Sequence, residues 1–165
     1  MKKVISLVLI FFYCILLGGC NNRLNDEFKS LIHQETNNES NLVDNVINCF
    51  DEEDSEGLKK LFCQQTLEKT PDLDKQIELA MEFYEGKSVS HGAVIGNEGV
   101  TMDNGQVIRK DYNPQIPDLI TDTEKKYYIV ISSYVINTKY PEKVGVSKIK
   151  ILSEDAVVEI GEYIY

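Results

Sequence analysis

The chain has 165 residues, with 17 Lys and Arg against 27 Asp and Glu, for a formal net charge of −10. That length suits one domain with enough chain to bury a core. The acidic balance argues against nucleic acid as a partner, because phosphate contacts need clustered Lys and Arg.

Lys2 and Lys3 precede an apolar run, Val4 to Gly19, that ends in Leu17-Gly18-Gly19-Cys20. A positive start, an apolar middle and small residues before a cleavage point are the three parts of an export signal. Small residues leading into Cys resemble the bacterial lipobox. That resemblance implies cleavage between Gly19 and Cys20, with a diacylglyceryl group (palmitate or similar acyl chains) on the Cys20 thiol. Two acyl chains suffice for stable anchoring, so the expected address is the extracytoplasmic face of the cell membrane. The 16 residues of the run fall short of the roughly 20 that span a bilayer core. Processing at Cys20 would leave 146 residues with 15 basic and 27 acidic side chains, net −12, which opposes a second, electrostatic hold on anionic lipid.

The expected domains are a signal at 1–19, the lipidated Cys20 with a polar tether at 20–40, and a single domain at 41–165. The tether is rich in Asn, Glu and Ser and has no sustained apolar period, the composition of a flexible linker. Its Asn38-Glu39-Ser40 sequon carries no weight in a bacterial chain. Of the four cysteines, Cys14 lies in the signal and Cys20 is the lipid site. Cys49 and Cys63 sit in apolar helical patterns, and free, buried thiols are the expectation there, since spacing alone establishes no bridge.

Three helices are predicted. Leu42, Val43, Val46, Ile47, Cys49 and Phe50 share one helical face, with Ser40 or Asn41 as cap. A short second helix follows Asp54 or Ser55, with Leu58, Leu61 and Phe62 apolar. The third has Thr70 as cap, Pro71 at its first position and Leu73, Ile77, Ala80, Met81 and Tyr84 as its stripe, and Gly86 ends it. From Lys87 the period changes to two. Ser88–Ile95 reads as one strand, and Asn104-Gly105 as a hairpin turn between Val100–Met102 and Val107–Ile108. Pro114 and Pro117 demote Ile116–Thr121 to an edge or bulged strand. Tyr127–Asn137 is apolar on both faces and reads as central; Val144–Leu152 and a weaker edge strand, Val157–Tyr165, complete the set. Helices first and strands afterwards give an α+β fold, with the helices packed on one face of an antiparallel sheet.

That order resembles the nuclear-transport-factor-2-like (NTF2-like) superfamily, which implies helices lying in a curved, cone-shaped sheet. Two regions more closely resemble an uncharacterised family of Gram-positive lipoproteins described as a domain of unknown function. One is Thr70-Pro71-Asp72-Leu73-Asp74-Lys75-Gln76-Ile77 through Phe83-Tyr84-Glu85-Gly86. The other is Thr121-Asp122-Thr123-Glu124-Lys125-Lys126-Tyr127-Tyr128, with Pro141-Glu142-Lys143-Val144-Gly145-Val146. The resemblance covers about residues 41–152 and implies no catalytic residue.

The acidic run Asp51-Glu52-Glu53-Asp54-Ser55-Glu56-Gly57 invites a calcium reading. An EF-hand loop begun at Glu52 departs at both anchors, with Glu at its first position and Cys63 at its last, so a solvated loop with a helix cap is expected instead. His33 lies in the tether, and His91 alternates within a strand without metal-binding company. No metal ligands, cofactor or catalytic residues are therefore assigned. Tyr128, Val130, Ser132, Tyr134 and Ile136 share the strand face turned from Tyr127, Ile129, Ile131, Ser133 and Val135. If that face lines a cavity, Tyr128, Tyr134 and His91 would orient a small apolar ligand. The leading expectation is a non-catalytic ligand-binding or protein-interaction module. Its partners would be the membrane, an envelope protein or a second copy docked through the sheet. The alternative is a small enzyme carrying out proton transfer on an apolar molecule, with Tyr128, Tyr134, His91 and Asp111 as its groups. A third expectation has the Val157–Tyr165 tail adding a strand to a partner's sheet.

Overall fold

The computed structural model describes residues 41–162. The signal, Cys20, the tether, His33 and the last three residues lie outside them. The first helix, α1, covers residues 41–51. Val43, Val46, Ile47 and Phe50, spaced i, i+3, i+4, i+7, are its buried stripe. The second, α2 (Ser55–Leu61), starts where the Asp54 side chain accepts the Gly57 N–H at 2.8 Å. Glu56 in its first turn and Lys59 and Lys60 in its last complement the helix dipole.

Beyond α2 the structure departs from the sequence-based expectation. Phe62 leaves the helix and bridges to Val146, and the Cys63 N–H donates to Val146 O at 2.8 Å. Cys63 is thus an extended residue at the head of a further helix, α3 (Gln64–Lys69). Thr70 closes α3 and does not cap the next helix. The reason is Pro71: its ring pushes the preceding residue out of the α region, and Thr70 sits at ψ 116. Asp72 then turns through the left-handed region at φ 52, and α4 runs over Leu73–Phe83. Leu73, Ile77 and Ala80 face the core. The helix ends earlier than expected: Tyr84, in the extended region, is its C-cap, and Gly86, at φ +85, turns the chain in the connection that follows.

Six strands follow: β1 (Ser88–Ser90), β2 (Ile95–Asp103), β3 (Gln106–Thr121), β4 (Lys126–Asn137), β5 (Gly145–Leu152) and β6 (Val157–Gly161). They form one antiparallel sheet in the order β1-β3-β4-β5-β6, with β2 also on β3. Asn104 and Gly105 both have positive φ in the β2–β3 turn, as a two-residue hairpin of primed type requires. The architecture is α+β with an open sheet.

Two strand expectations need correction. Ser88–Ile95 is two strands, because His91 to Val94 leave the sheet. The cause lies opposite, on β3, where Pro117 cannot donate and the register slips between Ile116 and Leu119. The Gly92 N–H takes the Pro117 carbonyl at 2.8 Å across this break. Ile116–Thr121 is bulged as expected, yet it is interior: β4 pairs along one side of β3, while β2 and β1 share the other.

Within the described residues, the chain from Leu42 forms one compact unit. Its core lies between the helices and the sheet face that carries Ile116, Leu119, Ile129, Ile131, Ile149, Ile151 and Ile160, all fully buried. Burying each such side chain is worth about 1.5–3 kcal/mol. β4 is central, as predicted. Its other face (Tyr128, Val130, Tyr134) is only half-buried and meets Gln115, Lys150 and Lys148 on the flanking strands. β6 pairs with β5, and Ile160 is buried against the helices, so Val157–Gly161 is the edge strand of this sheet. Among the described residues no helix is long and apolar enough to cross a membrane.

Candidate functional site

A dense polar cluster lies where α1, the α4–β1 connection and the β3–β4 turn converge. Asp51, at the end of α1, accepts the Tyr84 hydroxyl at 2.9 Å, the Ser88 N–H at 2.8 Å and the Ser88 hydroxyl at 2.5 Å. The Tyr84 ring stacks on Tyr127 at 4.9 Å between centroids and lies 5.2 Å from Phe50. Tyr127 donates its hydroxyl to Phe83 O at 3.0 Å and accepts the Glu85 N–H at 2.9 Å. The Lys87 N–H donates to Asp122 Oδ1 at 2.8 Å, and the Asp122 N–H donates to Lys87 O at 2.8 Å. Thr123 adds a bond to Glu85 O at 3.0 Å. Burial pushes the Tyr84 hydroxyl well above the usual tyrosine range, and the bond to Asp51 adds to the shift. A phenol held so firmly in its protonated form is a hydrogen-bond donor, not a proton-transfer group near neutral pH.

This corner joins the two sequence segments Phe83–Gly86 and Thr121–Tyr128. A Cβ at Gly86 would lie 2.4 Å from Asp122 Oδ1, so the turn admits glycine for space as well as for φ. The signal available in sequence was the polar–aromatic composition of the two segments. Asp51 and Ser88 gave none, because nothing in the order of residues reports that position 51 meets position 88.

The second assembly is the sheet face opposite the helices. Arg109 stands over the Tyr134 ring at 5.0 Å and approaches Asp111 at 3.5 Å, while Asn113 donates to the other Asp111 oxygen at 3.2 Å. The Tyr128 hydroxyl donates to Gln115 Oε1. Lys148 and Lys150 both reach Glu159, at 2.7 and 3.3 Å. The hydrogen bond from Lys148 is the largest of the effects holding the Glu159 carboxyl below its ordinary value.

Of the residues singled out in sequence, the structure brings Tyr134 and Asp111 side by side, as register partners on β4 and β3. Tyr128 is six residues along the same strand, roughly 20 Å away at 3.3 Å per residue. His91 lies in the 91–94 loop, not in a strand as expected, exposed and with Nδ1 2.7 Å from the neighbouring Gly92 O. The acidic loop after α1 is organised around the Asp54 cap. Among the described residues there is no cluster of three or more His, Cys, Asp or Glu that could hold a metal ion. Cys49 and Cys63 are both free. The Cys63 Sγ is 3.2 Å from Thr66 Oγ1 inside the core.

The model of the family described as "Domain of unknown function (DUF5104)" matches residues 45–154. The match spans two thirds of the chain, and the chain belongs to that family. No curated protein matches it.

Proposed function

We propose that this DUF5104 member is an extracytoplasmic lipoprotein of a Gram-positive cell envelope, held to the membrane through a diacylglyceryl group on Cys20. It works there as a non-catalytic interaction module. The observation that carries the reading is the lipobox-like Leu17-Gly18-Gly19-Cys20 at the end of a short apolar run after Lys2 and Lys3. The polar groups of the domain support the non-catalytic half. Asp51, Tyr84, Ser88, Asp122 and Tyr127 are spent on bracing the corner, and Asp111 is matched by Arg109 and Asn113. Helices laid on one face of a bulged antiparallel sheet are compatible with the NTF2-like cone, a fold-level analogy that carries no activity.

Metabolic labelling of the producing cells with an alkyne fatty acid tests the anchor. Label on the native chain and none on Cys20→Ala is expected; label that persists on the variant overturns the anchor. Native against denaturing mass spectrometry of the purified chain tests the module. Absence of any small-molecule mass, with protein complexes present, is expected. A small molecule that leaves on denaturation would replace protein interaction with ligand carriage.

A further inference from the structure

The sheet face turned from the helices carries a row of cations laid along β4. Lys126, Tyr128 and Tyr134 stand on β4 itself. On one side Lys150 pairs with Val130 and Lys148 with Ser132; on the other Arg109 lies over the Tyr134 ring at 5.0 Å. Lys150, Lys148 and Arg109 thus recur at the level of every second residue of β4, about 6.6 Å apart. From Lys126 to Tyr134 the row runs roughly 26 Å at 3.3 Å per residue. Among the described residues the acids of this face are Asp111 and Glu159, with Asp118 in the bulge opposite Tyr128. Four basic against three acidic side chains here leave 13 basic and 24 acidic for the rest of the chain. The face is therefore inverted in charge relative to the molecule that carries it.

We propose that this face binds an extended polyanion of the cell wall, a polyol-phosphate chain with one phosphodiester per repeat. Charge complementarity sets the sign of the ligand, and the acidic remainder of the molecule confines a polyanion to the row. The length of the row calls for a polymer and not for a single anion, and lysines bind phosphate as point charges. A protein partner is disfavoured, because the centre of a protein interface is depleted in Lys, Glu and Asp, and here Lys148, Lys150 and Glu159 hold the centre. Single-stranded nucleic acid is disfavoured too. Strand binders stack bases on open aromatic rings, whereas Arg109 already lies over Tyr134 and the Tyr128 hydroxyl is committed to Gln115. The amides beside the row suit a polyol. Asn113 spends a donor on Asp111, and Gln115 accepts from Tyr128, which leaves a carbonyl on the first and an amino group on the second to meet hydroxyls. The wall origin of the polymer rests on the extracytoplasmic placement proposed above. The affinity is a property of the chain alone, so the two fail separately.

Fluorescence anisotropy of end-labelled poly(glycerol phosphate), titrated with the full chain in detergent, tests the proposal. Binding should saturate and weaken as salt rises. A labelled fragment with only two phosphates should bind about tenfold more weakly than polymer long enough to cover the row. The double variant Lys126→Glu/Lys150→Glu should weaken polymer binding about tenfold with an unchanged circular-dichroism spectrum. Asp118→Asn/Glu159→Gln, which removes two acids from the face, should tighten it several-fold, and that gain is readable even if the lysine variant fails to fold. No binding at low salt overturns the proposal. So does an affinity unmoved by the acid-removing variant or by a folded lysine variant, a two-phosphate fragment that binds as tightly as polymer, or single-stranded DNA of equal charge that does. Failure of the fatty-acid label on the native chain would overturn the anchor and leave the binding result standing.

Discussion

Asp51 and Ser88 are 37 positions apart and share two hydrogen bonds: the Ser88 hydroxyl donates to Asp51 Oδ2 at 2.5 Å and the Ser88 N–H to Oδ1 at 2.8 Å. The first residue of the sheet is thereby pinned to the last turn of the first helix. Tyr84 shares the same carboxylate at 2.9 Å and plants its ring on Tyr127 of the central strand. One acid therefore sets how helix and sheet meet at this end of the domain.

Removing that acid should be costly. Asp51→Ala leaves the Tyr84 hydroxyl and two Ser88 donors without their acceptor, and the expected loss is about 2–4 kcal/mol. A urea titration of variant and native chain measures it. An unmoved midpoint would mean that ring packing alone holds the corner.

Cys63 is buried as expected, whereas Cys49 is only half-buried against the core, and both thiols should react slowly in the native state. Burial, and secondarily the nearby Asp54, pushes the Cys49 thiol up, and Cys63 is buried beside Thr66. Reactivity follows the thiolate and its exposure. Iodoacetamide at neutral pH should alkylate both slowly in the folded chain and rapidly in urea, as read by peptide mass. Rapid native alkylation of Cys49 would contradict the packing described for α1.

Acid should weaken the lysine–glutamate cluster on the open face. The folded-state Glu159 carboxyl is held below its ordinary value of 4.5, chiefly by Lys148. A depressed carboxylate contributes stability above the unfolded value and loses it as pH falls through the folded one. Glu159→Gln should therefore narrow the stability difference between pH 7 and pH 3. The side chain is 42% exposed, so solvent screening keeps the change below about 1 kcal/mol. Thermal melts of both proteins at the two pH values give the comparison, and an identical pH dependence would remove Glu159 from the account.

Much of this architecture was legible in the residue order. The i, i+3, i+4, i+7 stripe of α1, the Asn104-Gly105 turn, the central place of β4 and the edge place of β6 all follow from local pattern, because each depends on residues within one turn or one strand. Two of the features that local pattern does not give depend on a neighbour distant in sequence. The apolar pattern makes Cys63 helical, but the carbonyl of Val146 draws it out of the helix. Alternation makes His91 a strand residue, but the bulge at Pro117 expels its segment from the sheet. The third is local: Thr70 has the composition of a cap for α4, but the adjacent Pro71 holds it extended and makes it the end of α3.

Periodicity, turn chemistry and the Cys-terminated apolar run are local quantities, and on their own they set the α+β class, the element order and the expected anchor. Which carboxylate locks the corner, that the far face of β4 is a lattice of polar pairs, and that β2 is an open edge depend on the tertiary structure. Those features arise from pairing between strands and from burial, and both join residues that chain order leaves far apart.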